Sequence, residues 1–168
     1  MKKSIIAVAS LLVVGVLFLA GCQSKGDGEA NSEKVLRVGT EGTYSPFSFR
    51  DDNDKLTGYD VDVAKAVVKK INYKVKFVEA PWDSMLAAFD ANKSDVIFNQ
   101  VSITPERKEK YLFSTPYSVS HPALIVNKDN NEIKDFADLK GKTSAQSLTS
   151  NYAQMAEDLG AEISSVDG

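Results

Sequence analysis

The residues that could do chemistry in this sequence stand in a few short runs. Arg107 belongs to the charged run Glu106-Arg107-Lys108-Glu109-Lys110, soon after the apolar segment 95–99. A guanidinium there can reach back to the carboxyl end of a strand and hold a carboxylate through two parallel hydrogen bonds. The same residue also fits a solvated charged face, which is the reading kept for Lys108 and Lys110. Ser102 and Thr104 could add a hydroxyl and N–H groups around the same anion, and Thr104-Pro105 is equally a good N-cap and first-turn pair for a helix. Asn99 and Gln100 close an apolar strand-like run. Polar groups in that position need partners, which either a polar ligand or neighbouring loops can supply.

Two aromatic residues and one helix start complete the candidates. Tyr44 lies in a proline-containing loop. Trp82 opens a helix whose Met85, Leu86 and Phe89 form a stripe, so it reads either as core or as a pocket wall nearest the strand ends. Ser150 and Asn151 precede a helix containing Tyr152, Met155 and Leu159. Its free N–H groups and positive dipole end suit a carboxylate, while Ser150 also reads as an ordinary N-cap. His121 is the sole histidine and Cys22 the sole cysteine. No nucleophile motif accompanies His121, and one cysteine excludes a disulfide framework or a multi-cysteine metal site. No metal and no cofactor are implied.

Alternating strand and helix patterns must position these groups. Strands are expected over 35–40, 73–78, 95–99, 143–147 and 161–166. The turn-rich Asp51-Asp52-Asn53-Asp54 joins 47–50 and 55–57 as a hairpin. Helical spacing marks 60–71 through Val61, Ala64, Val67, Val68 and Ile71, with further helices from Pro81, from Thr104-Pro105 and over 150–159. A helical turn is expected at 135–139 and a longer extended stretch at 118–127. The alternation predicts an α/β fold with largely parallel sheets, whose ligands sit beyond the carboxyl ends of the strands.

The first residues read as an address. Lys2 and Lys3 precede an uncharged apolar run that ends in small residues, the pattern of a secretory signal over 1–21. Leu19-Ala20-Gly21-Cys22 resembles the lipobox of bacterial lipoproteins, in which the Cys thiol takes a diacylglycerol and becomes the new N-terminus. Residues 22–34 then form a polar tether. Losing Lys2 and Lys3 with the leader lowers the net charge from −3 to −5. That balance argues against a nucleic-acid partner.

Gly58-Tyr59-Asp60-Val61-Asp62-Val63-Ala64-Lys65-Ala66-Val67-Val68 resembles the signature of family 3 extracellular solute-binding proteins, the amino-acid receptors of ABC importers. Tyr44-Ser45-Pro46-Phe47-Ser48-Phe49 is similar to the family's aromatic ligand loop. Asn99-Gln100-Val101-Ser102-Ile103-Thr104-Pro105-Glu106-Arg107 resembles its carboxylate-binding loop, and Phe113-Ser114-Thr115-Pro116-Tyr117 the strand leading to the hinge. The Asn-Gln-Val wording and the segment Gln146-Ser147-Leu148-Thr149-Ser150-Asn151-Tyr152 look most like cystine-binding members.

The resemblance implies a type II periplasmic-binding-protein-like fold of two lobes, each a central sheet flanked by helices. Lobe 1 would cover 35–119, and the hinge with the start of lobe 2 would cover 120–168. It implies a ligand site of Tyr44, Trp82, Asn99, Gln100, Ser102, Arg107, Ser150 and Asn151, with a free amino acid, cystine first, as ligand. Membrane permease subunits would be the partners, and a lipid on Cys22 would hold the protein at the outer face of the membrane. Rival expectations are a dehydratase-like enzyme or a sensor domain on the same fold. The second unit stops at Asp167-Gly168, where its covering helix is due. The chain is therefore expected to be a fragment that lacks the acidic partner of the ligand's α-ammonium and binds amino acids weakly at best.

Overall fold

The computed structural model describes residues 34–166. The leader, Cys22 and nearly all of the tether lie outside the described residues. Strand β1 (Val35–Thr40) forms the middle of a three-stranded parallel sheet, between β5 (Lys74–Glu79) and β6 (Val96–Ile97). The register runs from Val35 opposite Lys74 to Thr40 opposite Glu79, and Val38 and Gly39 pair with Val96 and Ile97. The expected strand 95–99 keeps only two ladder residues, because the chain leaves the sheet once Phe98 N–H has bonded to the Gly39 carbonyl at 3.0 Å.

Between β1 and β5 lies an antiparallel meander of β2 (Thr43–Tyr44), β3 (Ser48–Arg50) and β4 (Leu56–Thr57). The hairpin over 51–54 is as expected, but Tyr44 sits on a short strand rather than in a plain loop. Helix α1 (Tyr59–Lys70) then crosses back over the sheet. Its first turn starts at Gly58, whose φ of 123° and close approach to the Phe47 carbonyl leave no room for a side chain. Asp60 and Asp62 lie in the first turn and Lys69 and Lys70 in the last, as the helix dipole favours.

The apolar stripe of α1 is narrower than its spacing suggests. Val61, Ala64 and Val68 are buried, whereas Val67 and Ile71 are exposed at 41% and 48%. One face of the helix is covered by the sheet and the flank beyond it is open. Val38, Ala64 and Val68 form the core, with Leu36, Tyr73, Val75, Phe77, Val96 and Phe98 packed around it. Helices α1 and α2 (Trp82–Asp90) end in the same device: Asn72 and Asn92 turn left-handed at φ 57°, and the next N–H groups bond back to the Val68 and Ala88 carbonyls. These Asn residues stop each helix and turn the chain toward its next strand.

Helix α3 (Pro105–Lys110) is capped by the Thr104 hydroxyl, which accepts from Arg107 N–H at 3.2 Å. The stretch 118–127 joins no sheet, and Val119 and Ile125 are 86% and 100% exposed, since no described strand runs beside it. A 3-10 turn (Phe136–Leu139) leads into β7 (Thr143–Gln146), α4 (Asn151–Asp158) and β8 (Glu162–Ser165). β7 and β8 pair in parallel, and Leu139, Ala156 and Ala161 form a second, smaller core between them and α4.

Candidate functional site

All strands of the first sheet run the same way, so β1 and β6 end at one edge, and the chain just beyond that edge carries the candidate residues. Asn99 lies 1% exposed beneath it. Its side-chain oxygen accepts from Thr40 Oγ1 at 3.1 Å and from Glu41 N–H at 2.9 Å, and its amide donates to Glu41 Oε2 at 2.6 Å. Thr40 Oγ1 also lies at hydrogen-bond distance, 2.6 Å, from the buried Ser48 hydroxyl. Of the two partners open to Asn99, neighbouring backbone and side chains take its hydrogen bonds. It fixes the end of β1 and the carboxylate of Glu41. Sequence reasoning passed over Glu41; its signal was an acidic residue immediately after a buried strand, at the carboxyl edge.

Gln100 has a left-handed backbone, φ 48°, uncommon for a residue with a Cβ. Its side chain supplies the reason for tolerating it. The amide donates to Asp60 Oδ1 at 2.6 Å, and the side-chain oxygen accepts from Ser118 Oγ at 2.8 Å. Asp60 is fully buried at the start of α1. Burial pushes its carboxyl above the ordinary value, against the opposing hydrogen bond from Gln100, and Oδ2 is buried without a partner among the described residues. The Tyr59 hydroxyl donates to the Tyr117 carbonyl at 2.8 Å. Burial, with the charge of Asp60 beside it, pushes the Tyr117 hydroxyl upward in turn. The start of α1 thus holds both the loop beyond β6 and the segment that leaves for the second unit.

Arg107 is half-buried. Nη1 donates to the Ser102 carbonyl at 3.1 Å and to Asn151 Oδ1 at 3.3 Å, and Nη2 to the Thr149 carbonyl at 3.4 Å. Its guanidinium carbon lies 5.5 Å from the centre of the Trp82 ring. Desolvation lowers the Arg107 value below its ordinary level despite the pull of Tyr111 and Glu106. None of the ion pairs among the described residues includes it. The indole N–H of Trp82 is buried and has no acceptor among the described residues. Of the expected α2 stripe only Met85 is fully buried; Leu86 and Phe89 line an apolar groove of about 670 Å³ with Phe98, Tyr111 and Tyr117.

Four of the expected site residues therefore meet: Trp82, Ser102 and Arg107, which follow the strands of the first sheet, and Asn151, which opens α4. Ser102 contributes its carbonyl. The Ser150 hydroxyl accepts from Tyr152 N–H at 3.1 Å, which realises its N-cap reading. Tyr44 is 42% exposed and stacks on Phe47 at 5.1 Å in a tilted arrangement. Burial raises its hydroxyl, and the charges of Tyr152, Glu41 and Asp60 add to the rise. Asp83 was also passed over: its Oδ1 accepts from Thr149 Oγ1 at 2.6 Å and from Thr149 N–H at 3.2 Å.

The model of the bacterial extracellular solute-binding proteins, family 3, matches residues 36–165. The L-cystine-binding protein TcyA of Bacillus subtilis is 48% identical over 182 residues, spanning 100% of this chain and 67% of that protein. The L-cystine-binding protein TcyJ of Escherichia coli K12 is 42% identical over 149 residues, spanning 84% of this chain and 56% of that protein. An ancestral arginine-binding protein bound to glutamine superposes with a TM-score of 0.76 at 40% identity, over 81% of this chain and 61% of its own. The chain thus spans roughly three fifths of the length of such relatives. Their fold is the periplasmic-binding-protein type that the paired parallel units here follow. The match runs from β1 through β8 and takes in the arginine loop beyond β6; on that ground this chain belongs to the bacterial extracellular solute-binding proteins, family 3.

Proposed function

We propose that the protein is the extracytoplasmic receptor of an ABC importer, that it binds a free amino acid between its two units, and that L-cystine is the first ligand to test. The observation that carries this reading is the Arg107 guanidinium, desolvated against Trp82 and held, among the described residues, by neutral oxygens of Ser102, Thr149 and Asn151. A half-buried cation bonded to neutral groups suits an incoming carboxylate, which makes stronger, shorter hydrogen bonds than a carbonyl does. The buried Trp82 N–H, without an acceptor among the described residues, is a further donor.

In this reading Arg107 and Ser102 take the ligand carboxylate, with Asn151 and the Ser150 turn closing over it from the second unit. Tyr44 and Trp82 flank the ligand side chain. Asn99 and Gln100 act from behind, by fixing the strand ends and the loop. Cystine is put first because the two named cystine-binding relatives share 48% and 42% of aligned residues with this chain. The ligand leaves unchanged, to permease subunits in the membrane. A diacylglycerol on Cys22 keeps the receptor at the outer face.

Trp82 is the only tryptophan, so its indole N–H gives one nuclear magnetic resonance signal. Titrating the purified chain with L-cystine, L-arginine and L-glutamine in turn should shift that signal saturably, most readily with L-cystine. A shift with arginine or glutamine and none with cystine overturns the cystine assignment. No shift with any of them overturns ligand binding by this chain. Loss of total cystine, bound and free together, would overturn the assignment as a binder and favour the dehydratase-like alternative.

A further inference from the structure

Thr149 is gripped from two sides. Asp83, in the first turn of α2, accepts from its N–H at 3.2 Å and from its hydroxyl at 2.6 Å, while Arg107 donates to its carbonyl at 3.4 Å. An anion sits at the donor end of the residue and a cation at the acceptor end. Each contact is therefore charge-assisted and correctly signed. Both partners come from the part of the chain built on the first sheet, and Thr149 lies in the turn 147–150 that leads into α4. Asp83 is also adjacent in sequence to Trp82, so the clamp and the ring under Arg107 move with the same helical turn.

We infer that Asp83 is a positioning residue that holds the second unit shut over the arginine site, and that it sets how long a bound ligand stays. The consequence for ligand lifetime rests on the receptor reading above; the clamp itself does not. The two grips on Thr149 are not equivalent. A carboxylate arriving at Arg107 competes with the Thr149 carbonyl, whose hydrogen bond is long. It leaves the Asp83 contact untouched, because that contact uses the N–H and hydroxyl. Asp83 is thus the contact that can persist while Arg107 changes partner. Its position at the exposed rim makes it a brake on opening more than a contributor to encounter.

The test compares the full chain with Asp83→Ala, Asp83→Asn and Thr149→Val, each checked for intact secondary structure by circular dichroism. Hydrogen exchange at the Thr149 amide should quicken about tenfold in Asp83→Ala, the size of one charge-assisted hydrogen bond at a partly solvated site. Asp83→Asn keeps a carbonyl acceptor and should recover part of the protection. Trp82 fluorescence in a stopped-flow displacement experiment should show L-cystine dissociating about tenfold faster from Asp83→Ala and Thr149→Val, with association changed less than about threefold. Equal Thr149 exchange in wild type and Asp83→Ala overturns the clamp. Faster exchange with an unchanged dissociation rate overturns its role in ligand lifetime. Absence of L-cystine binding by the wild type, with exchange still dependent on Asp83, overturns the ligand assignment and leaves the clamp standing.

Discussion

The guanidinium of Arg107 lies over the Trp82 ring, its carbon 5.5 Å from the ring centre. A planar guanidinium can lie on an aromatic face while its edge forks to several oxygens, a geometry that the compact ammonium of lysine does not reproduce. Arg107→Lys should therefore behave almost like a deletion. We expect Arg107→Ala and Arg107→Lys each to weaken L-cystine binding by about a hundredfold, while the midpoint of urea unfolding moves little. Titration by the Trp82 indole signal measures it. An Arg107→Lys protein that binds within about threefold of wild type would remove Arg107 from the site.

Gln100 holds a left-handed backbone while its side chain ties Asp60 to Ser118. Substituting Ala keeps the backbone cost and loses both ties; substituting Gly loses the ties but relieves the backbone. Gln100→Ala should therefore be less stable than Gln100→Gly by about 1 kcal/mol, with both below wild type. Urea unfolding of the three proteins is the comparison. The reverse order between Ala and Gly would show that strain at Gln100 is negligible.

Asp60 makes a pH prediction. Its carboxyl is raised by burial, so the folded chain binds this proton more tightly than the unfolded one. Its contribution to stability is then full below the ordinary carboxyl value and is lost as pH rises through the raised folded value. Asp60→Asn keeps an oxygen for the Gln100 amide and removes the buried charge. Its stability should fall less steeply than that of wild type as pH climbs from about 4 toward neutrality. Thermal melts across that range measure the slope, and identical slopes would place the raised carboxyl elsewhere.

Asn99 separates support from contact. It is 1% exposed and satisfies Thr40 and both the backbone and side chain of Glu41. Asn99→Ala leaves those groups without their partners, so stability should drop by about 2–3 kcal/mol. At denaturant concentrations where both proteins stay folded, ligand affinity should change far less than in Arg107→Ala. A large loss of affinity with unchanged stability would move Asn99 from the support to the ligand.

Much was legible from residue order alone. Apolar periodicity placed β1, α1, β5 and α2, turn chemistry placed the hairpin at 51–54, and capping chemistry placed the starts of α3 and α4. Those signals are local: each depends on residues within a turn or two of one another. Residue types alone left Arg107 open to a solvated charged face; the resemblance of the run from Asn99 to Arg107 to the family's carboxylate-binding loop is what singled it out.

What residue order left open was which side of each choice the fold takes. Asn99 could serve a ligand or its neighbours, and the choice went to Thr40 and Glu41 because β1 and β6 end side by side. Val67 and Ile71 fit the α1 stripe by spacing, yet stay exposed because only one flank of that helix meets the sheet. Arg107 met Asn151, and Asp83 met Thr149, across separations of 44 and 66 residues. No local pattern encodes such pairs. Sequence determines the elements and the chemical types they carry, through short-range propensity and periodicity. Partners are decided only when the parallel strands set their carboxyl ends at one edge and bring the second unit against it.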